Sequence, residues 1–304
     1  MSSISIGLPV VKDQFIESAL EGALSQTFPD FEIIVVNNAA DSKTRENIWK
    51  IVQKFSDNRI RYCENDTQLP MIPNWNRALI QAKGDFFCLL SDDDRWAPRY
   101  LEEMLRLADK YPTVNIFHCR MMVIDEHDKL IDLAPLFPER QDYLDFIFHR
   151  IRGYSKFTLS DFMVRLGALK RVGGFVEMLD GWGSDDITWF KLAVDGGIAY
   201  STEPLYYYRE NSFNISNSKG IKNKYESISD YVEHVKEIID KDTSLKDEMD
   251  VFKRDLILRQ IEIYRKKNCS YLVDKGLREN QMVPELLVPI MMLLFKGYKR
   301  VFGW

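Results

Sequence analysis

Residues 3–36, SISIGLPVVKDQFIESALEGALSQTFPDFEIIVV, decide the fold. Residues 3–11 form a short apolar run that is typical of a buried strand, and the apolar side chains from Phe15 to Leu24 then recur at helical spacing until Pro29. Residues 31–36 are a second continuous run of apolar, mostly β-branched side chains, as expected for a strand covered on both faces. A strand, a helix and a second buried strand in this order predict a parallel sheet with helices over its faces.

The same alternation continues to residue 110. Helical faces are predicted at 48–55, 74–82 and 99–110, and short strands at 59–63 and 85–90. The third of these helices follows Pro98, a residue type favoured at helix starts. The first 110 residues therefore read as one half of a nucleotide-binding α/β fold.

The chain changes character after residue 112. Apolar runs at 114–124 and 130–133 flank a turn-rich tetrad, and 198–208 is another β-rich stretch, so some antiparallel pairing is expected. Helical spacing resumes near 223 and predicts two helices, the second over 246–267. We therefore predict a catalytic domain over 1–220, with halves of 1–112 and 113–220, followed by a helical extension over 221–304.

Composition excludes several classes of protein. The 304 residues are 45% hydrophobic and 29% charged, which is ordinary for a globular protein. The net charge of −5 gives no overall basic field, so nucleic acid is not an expected partner. The four cysteines are widely spread and lack a C-x-x-C spacing, which favours a reduced, cytoplasmic protein. The N-terminus lacks a secretory pattern, and the longest apolar run, 286–295, is shorter than the roughly 20 residues that span a bilayer.

Polar side chains follow three of the predicted strands. They lie at residues 9–13, at Asn37 and Asn38, and at 91–94, which read Ser-Asp-Asp-Asp. Ligands of parallel sheets bind beyond the carboxyl ends of the strands. Adjacent aspartates repel one another, and a bound Mg²⁺ or Mn²⁺ would relieve that repulsion. The alternative is that the aspartates cap the helix after Pro98; their position directly after an apolar strand favours the cation.

A second acidic pair, Asp185 and Asp186, follows the stretch Gly181-Trp182-Gly183-Ser184 and precedes a helix-like run. The helix dipole would account for acids at this place. The flanking glycines, however, allow a tight, mobile loop that presents an indole, and an aromatic face suits the apolar side of a sugar ring. A cation site and a separate carboxylate predict transfer onto a hydroxyl, in which the cation holds a diphosphate leaving group and the carboxylate deprotonates the nucleophile.

Three stretches together resemble the family 2 glycosyltransferases of the GT-A fold. They are ISIGLPV...FIESALEGALSQTFPDFEIIVVNN within 4–38, NWNRALIQAKGDFFCLLSDDDRWAP at 74–98, and GGF...GWGSDDITWFKLA within 173–193. The resemblance covers roughly residues 3–210 and implies an α/β GT-A nucleotide-sugar-binding fold, a mainly parallel central sheet flanked by helices. It also implies transfer of a sugar from a nucleotide-sugar donor to an acceptor hydroxyl with inversion, with a UDP-sugar favoured and Mn²⁺ or Mg²⁺ as cofactor.

The resemblance assigns roles to individual residues. It makes Asp93 the main metal ligand together with Asp94, Asp186 the catalytic base, and Trp182 and Asp185 acceptor-binding residues. The donor-binding residues that it implies are Pro9, Val11, Asn38, Asn76, Asp92 and Arg209. The sequence departs from the family where Val10 and Val11 replace a frequent Thr-Tyr pair, and where Asn37 and Asn38 replace two aspartates, one of which accepts the uracil N3 proton. An amide both donates and accepts hydrogen bonds, which makes the nucleobase harder to infer.

Residues 286–304 combine apolar side chains with Lys296, Lys299, Arg300 and Trp304. Burial against the preceding helices and an interfacial helix on an anionic membrane both fit this pattern. The second alternative would place the protein at the inner face of the cytoplasmic membrane and make a lipid-linked glycan the acceptor.

The leading hypothesis is a metal-dependent inverting glycosyltransferase of surface polysaccharide or oligosaccharide biosynthesis. A sugar-nucleotide nucleotidyltransferase is the first alternative, but no glycine-rich, basic phosphate loop follows the first strand. A non-catalytic sugar-binding relic of the same fold is the second alternative, and the presence of both acid clusters argues against it.

Overall fold

The parallel strands predicted from the first residues form one side of a large mixed sheet. The computed structural model describes residues 3–211, 221–242 and 247–278. In these residues the strands are β1 Ile4–Val10, β2 Phe31–Asn37, β3 Ile60–Glu64, β4 Phe86–Leu89, β5 Arg95–Trp96, β6 Ile116–Ile124, β7 Leu130–Leu133, β8 Arg140–Gln141, β9 Phe162–Arg165 and β10 Ile198–Arg209. The helices are α1 Ile16–Leu24, α2 Ser42–Phe55, α3 Met71–Gln81, α4 Tyr100–Lys110, α5 Tyr143–Arg152, α6 Leu166–Arg171, α7 Ser184–Val194, α8 Ile221–Lys241 and α9 Glu248–Arg278.

The sheet runs in the order β3-β2-β1-β4-β9-β6-β10-β5, with β7 paired to β6 and β8 to β10. Strands β1 to β4 pair in parallel, whereas β9 is antiparallel to both β4 and β6. Strand β10 runs parallel to β6 and antiparallel to β5. The predicted α/β class, with a parallel first half and antiparallel pairing in the second, is confirmed.

The register of the central strands brings their carboxyl ends to one edge. Val10 pairs with Asn37, and Gly7 pairs with Leu89. The main-chain N–H of Asn38 donates to the carbonyl of Val10 at 2.7 Å, which extends this alignment by one residue. The segments that follow β1, β2 and β4 therefore lie side by side, and ligands of parallel sheets bind at such an edge.

Two hydrophobic cores cover the two faces of the sheet. Along β2, Ile33 and Val35 belong to one core, while Ile34 and Val36 belong to the other, because successive side chains of a strand point to opposite faces. The first core is covered by α1, α2 and α4. The second is covered by α3, α5, α6 and α7, and it also contains buried residues of α8 and α9, among them Tyr231 and Ile257. The described helices of the extension, α8 and α9, therefore pack on the same face of the sheet as α3, α5, α6 and α7.

The described residues include no helix that is both long enough and apolar enough to cross a membrane. Residues 279–304 lie outside the described part of the chain, so the two alternatives for 286–304 stay predictions.

Candidate active site

A cavity of about 770 Å³ opens at the edge of the sheet where β1, β2 and β4 end. The turn at 91–94 forms one wall, and residues of the segment 181–186 form another. Predicted site residues on its surface are Pro9, Val11, Asn38, Asp92, Asp93, Asp94, Trp182, Asp185 and Asp186. The fold thereby brings together two acidic clusters that are more than ninety residues apart in sequence. Asn76 and Arg209 are not among the residues that line the cavity.

Asp92 binds the main chain of the two residues that follow β1. Its Oδ2 accepts hydrogen bonds from the main-chain N–H groups of Val11 at 2.8 Å and Lys12 at 3.1 Å. Burial and the neighbouring charge of Asp93 raise the pKa of Asp92 to about 6, against the effect of these two bonds and of the Lys12 ammonium. Asp92 therefore fixes the loop on which the predicted donor residue Val11 lies.

Asp93 and Asp94 differ although they are neighbours. The side chain of Asp93 is part-buried in the cavity wall, its Oδ2 accepts a 3.3 Å bond from Nδ2 of Asn211, and burial raises its pKa. Asp94 is 3% exposed. Its Oδ2 accepts bonds from Ser160 Oγ and Tyr206 Oη, both at 2.7 Å, and its Oδ1 accepts a 3.1 Å bond from the main-chain N–H of Arg209.

Burial and the charge of Asp93 raise the pKa of Asp94 to about 8. Both of its oxygens accept hydrogen bonds from protein donors, so Asp94 braces the turn, and its predicted contact with the metal stays a prediction. The buried hydrogen bonds of Asp94 hold the acidic turn against β10 and the segment at 160.

Arg209 lies behind the acidic turn and is 1% exposed. Its guanidinium donates to the carbonyl oxygens of Asp93 and Asp125 at 3.0 Å each and to Oδ1 of Asp128 at 2.7 Å. It also stacks over the ring of Phe15 at 4.5 Å. The predicted direct contact with the donor is therefore corrected to a positioning role, in which Arg209 fixes the backbone of the metal-binding candidate.

Asn76 is likewise turned away from the cavity. Its Nδ2 donates to the carbonyl of Phe175 at 3.0 Å, and its Oδ1 accepts from the Phe175 N–H at 2.9 Å. A side chain on Gly174, whose φ is +86°, would place its Cβ 2.6 Å from that oxygen. Asn76 thus ties α3 to the segment before 181–186, and the predicted contact with the donor is not made by this arrangement.

The glycines of the 181–186 segment allow close packing in a tight turn, and the expected mobility of this loop stays a prediction. Both have positive φ, +67° at Gly181 and +74° at Gly183. An added Cβ would lie 2.2 Å from Cε of Met71 at the first position and 2.6 Å from the ring of Tyr231 at the second. The indole of Trp182 lines the cavity and meets the Tyr231 ring edge-on at a centroid distance of 5.5 Å.

Asp185 and Asp186 lie in the first turn of α7, where the helix dipole favours a carboxylate. Asp186 is 6% exposed, and its Oδ2 accepts bonds from Arg150 Nε at 2.8 Å and Tyr231 Oη at 3.2 Å. The side chain of Asp185 is half-buried. Burial is the larger cause, and the charge of Asp186 the smaller, that together raise the pKa of Asp185 to about 6. The two acids therefore differ in charge environment although both reach the cavity.

Sequence reasoning did not assign Arg150, Tyr231 and Tyr264 to the cavity, and it marked Lys12 only as part of the stretch 9–13. Lys12 is the second residue after β1, where ligands of parallel sheets bind. Its ammonium lies close enough to lower the pKa of Asp92 and Asp93, and it is well placed for an anionic ligand. Tyr231 and Tyr264 come from α8 and α9, and nothing in their local sequence distinguishes them from ordinary core tyrosines.

The acidic turn offers few ligands for a cation. Within the described ranges no three His, Cys, Asp or Glu side chains converge as a metal-binding group. Magnesium is commonly held by one or two carboxylates together with substrate phosphates and water, because it keeps much of its hydration shell. Asp93 in the cavity wall, with Asp92 beside it, fits a site of that kind, in which a bound diphosphate supplies the remaining oxygens.

Comparison with known proteins identifies the family to which the chain belongs. Residues 5–164, more than half of the chain, match the model described as "Glycosyl transferase family 2". The putative glycosyltransferase EpsE of Bacillus subtilis is 25% identical over 203 residues, which are 66% of this chain and 70% of that protein. An Escherichia coli protein named UDP-Glc:alpha-D-GlcNAc-diphosphoundecaprenol beta-1,3-glucosyltransferase WfaP is 30% identical over 94 residues, which are 31% of this chain and 36% of that protein.

Two solved structures share the fold. Residues 1–349 of Staphylococcus aureus TarS in complex with UDP-GlcNAc give a TM-score of 0.63 at 19% identity, covering 86% of this chain and 72% of that one. The mannosyltransferase PcManGT of Pyrobaculum calidifontis, in complex with GDP-Man and Mn²⁺, gives a TM-score of 0.56 at 17% identity, covering 99% of this chain and 88% of that one. At these identities the likeness concerns the fold.

Proposed function

Since this chain belongs to glycosyltransferase family 2, we propose that it is a metal-dependent inverting enzyme of surface polysaccharide or oligosaccharide biosynthesis. The donor is a nucleotide-sugar, with a UDP-sugar favoured, and the acceptor is a hydroxyl of a glycan or lipid-linked glycan. The observation that carries the proposal is one cavity with an acidic wall at 91–94 and a second acidic wall at 181–186. Transfer needs both, because the leaving diphosphate must be held while the incoming hydroxyl is deprotonated.

The donor is assigned to the wall formed by the loop after β1 and the acidic turn. Asp92 fixes the main chain of Val11 and Lys12, and the Lys12 ammonium contributes positive charge for a diphosphate. Asp93 is the residue that would hold Mn²⁺ or Mg²⁺ beside the diphosphate. When bound, the cation would neutralise charge that develops on the leaving group.

The acceptor is assigned to the wall at 181–186. Trp182 presents an aromatic face, and Asp186 is proposed to take the proton of the acceptor hydroxyl. The hydroxyl oxygen then forms a bond to the anomeric carbon while the bond from that carbon to the diphosphate oxygen breaks. Attack from the face opposite the leaving group inverts the anomeric configuration.

The names of related proteins support this choice of substrates. WfaP is named as a UDP-glucose enzyme acting on a diphosphoundecaprenol-linked sugar, and TarS was solved with UDP-GlcNAc. PcManGT was solved with GDP-Man and Mn²⁺, so the shared fold accommodates a second nucleobase. Family membership favours sugar transfer over the nucleotidyltransferase alternative, and both acid clusters in one cavity favour catalysis over a sugar-binding relic.

A screen of nucleotide-sugars tests the proposal. UDP-Glc, UDP-GlcNAc, UDP-Gal and GDP-Man are each incubated with the full chain, with and without Mn²⁺, and with a panel of glycan and undecaprenyl-diphosphate-linked acceptors. We expect one donor to release its nucleoside diphosphate in a cation-dependent reaction that an acceptor accelerates. Equal release with EDTA would contradict the metal dependence, and formation of nucleotide-sugar from sugar phosphate and nucleoside triphosphate would favour the nucleotidyltransferase.

A further inference from the structure

The two oxygens of the Asp186 carboxylate have different environments. Oδ2 accepts hydrogen bonds from Arg150 on α5 and from Tyr231 on α8. Oδ1 is buried and accepts no hydrogen bond from the residues that the structure describes. One oxygen is therefore anchored from two sides, and the other is enclosed without a hydrogen-bond donor among the described residues.

The route by which Tyr231 reaches Asp186 depends on the glycine-rich segment. The Tyr231 side chain is 1% exposed and lies against Gly183, where any Cβ would meet its ring at 2.6 Å. Its ring also contacts Trp182 and, at a centroid distance of 5.7 Å, Tyr264 of α9. The residue at 183 must therefore lack a side chain for the phenol of α8 to reach the carboxylate in this arrangement.

Arg150 is positioned by its place in α5 and by a contact with Phe157. Helix α5 is preceded by Asp142, whose Oδ1 accepts a hydrogen bond from the N–H of Asp145 at 2.8 Å, and is followed by Gly153 in the left-handed region, so Arg150 lies in its last turn. The guanidinium stacks over the ring of Phe157 at 4.3 Å. Burial alone would lower the pKa of Arg150, but the carboxylate of Asp186 outweighs it and raises that pKa.

We propose that Tyr231 and Arg150 are positioning residues for the general base: they anchor Oδ2 of Asp186 and thereby fix the orientation of the carboxylate that takes the acceptor proton. The proposal rests on the function proposed above, with Asp186 as base. It makes helix α8 a component of the acceptor side of the active site, although α8 lies beyond the residues that match the family model.

A dependence on pH follows from these contacts. The titratable groups that face Asp186 are Asp185 on its own helix, Arg150 on α5, Tyr231 on α8 and Tyr264 on α9. Hydrogen bonds donated to a carboxylate favour its charged form. Removing the Tyr231 hydroxyl should therefore raise the pKa of Asp186, and the acidic limb of any rate that needs the carboxylate should move to higher pH.

The test compares Tyr231→Phe with Tyr225→Phe. Both remove one hydroxyl from α8, but Tyr225 packs with Ile228, Cys269 and Leu272, away from Asp186. Asp residues are labelled with ¹³C at Cγ in the full chain, the Asp186 signal is assigned by its loss in Asp186→Asn, and its pKa is read by NMR without any substrate. We expect a rise of about half to one unit in Tyr231→Phe, from the usual strength of one hydrogen bond, and none in Tyr225→Phe.

Arg150→Lys and Arg150→Gln extend the test. The lysine variant keeps a positive charge near Oδ2 and should move the Asp186 pKa less than the glutamine variant, which removes the charge. The pH–rate profile of UDP release from UDP-GlcNAc with Mn²⁺ should show the same order in its acidic limb. Thermal melting of each variant establishes that it is folded.

The outcomes separate this proposal from the proposed function. An unchanged Asp186 pKa in folded Tyr231→Phe, with Asp186→Asn inactive, would overturn the positioning role and leave Asp186 as base. Full transfer activity in Asp186→Asn would overturn the base assignment and this proposal with it, whatever the NMR titration shows. A raised pKa together with a shifted acidic limb would support the proposal.

Discussion

The side-chain amide of Asn38 pairs with both main-chain polar groups of Leu69. Its Nδ2 donates to the Leu69 carbonyl at 2.9 Å, and its Oδ1 accepts from the Leu69 N–H at 2.7 Å. The same oxygen accepts a 2.8 Å bond from Nδ2 of Asn65, which also donates to Asn74. Asn38, at the place where the family often has a base-reading aspartate, is thus engaged in holding the loop that forms the adjoining cavity wall.

This pairing predicts that Asn38→Asp weakens donor binding. A carboxylate at a site 1% exposed would face the Leu69 carbonyl, so the loop would lose one bond and gain a repulsion. We expect a lower melting temperature and about a 3- to 10-fold loss of affinity for UDP in calorimetry with Mn²⁺, from one lost buried hydrogen bond. Asn58→Asp, on an exposed turn, is the control. Tighter UDP binding by Asn38→Asp would show instead that this position reads the base directly.

Asp93 and Asp94 should respond differently to the same substitution. Asp93→Asn should abolish cation-dependent UDP binding in a protein that melts near the native temperature, because its side chain lines the cavity and makes few internal contacts. Asp94→Asn should lower stability by about 1–3 kcal/mol, since the amide N–H₂ would replace one of the two oxygens that accept bonds from Ser160, Tyr206 and the Arg209 N–H. Calorimetry and thermal melting of both variants check this. Unchanged UDP affinity in Asp93→Asn would remove it as the metal ligand.

The two acids of α7 are predicted to differ in catalysis. Asp186→Asn should lower transfer by about 10²–10⁴-fold, the usual contribution of a general base, while UDP affinity changes little because the donor wall is untouched. The product of the native enzyme should carry the inverted anomeric configuration. Rates are measured with the donor and acceptor found in the screen, with Asp185→Asn in parallel. Near-normal turnover in Asp186→Asn and a severe loss in Asp185→Asn would move the base to Asp185.

Stability should depend on pH through Asp185. Its folded-state pKa is raised from 3.8 to about 6 by burial and by Asp186, so the unfolded chain releases this proton first as the pH rises. The unfavourable contribution is therefore absent below about pH 4, grows between pH 4 and 6, and is constant above. Asp185→Asn should melt at a higher temperature than the native protein at pH 7.5 but not at pH 4, with Asp66→Asn on an exposed turn as control. An equal gain at both pH values would contradict the raised pKa.

Local pattern was enough to predict the donor half of the fold. Apolar runs identify β1, β2 and β4, whose side chains are buried on both faces of the sheet, and helical spacing identifies the helices between the strands. Helix α5 and strand β9 were missed, and with them Arg150: β9 enters the sheet between β4 and β6, a pairing set by long-range topology. The polar stretches after the strands identified the position of the cavity. That the amides of Asn38 and Asn76 hydrogen-bond to the main chain of Leu69 and Phe175 is visible only in the folded structure.

The segment 181–186 is a second place where the sequence alone does not reveal the contacts. The glycines around Trp182 were noticed in the sequence, yet their reason lies in Met71 and Tyr231, which approach from α3 and α8. Where distant elements approach closely, the glycine is the only sign of the contact in the local sequence. Nothing in the local sequence marks Tyr231 as the partner, because its helix shows an ordinary amphipathic pattern.

Gly183→Ala should therefore damage the acceptor side specifically. Its φ of +74° costs about 1–2 kcal/mol for any residue with a side chain, and its Cβ would lie 2.6 Å from the Tyr231 ring, which must move away from Asp186. Gly173→Ala is the matched control, because its φ is +91° with no atom within 4 Å of the added Cβ, so it bears the backbone cost alone. We expect both variants to melt at lower temperature, but only Gly183→Ala to lose transfer by tenfold or more, roughly the effect of one displaced contact of a buried charge. Its UDP affinity should stay near the native value, since the donor wall is separate. Equal activity of the two alanine variants, measured at a temperature where both are folded, would show that the contact of Tyr231 with Gly183 is packing without consequence for catalysis.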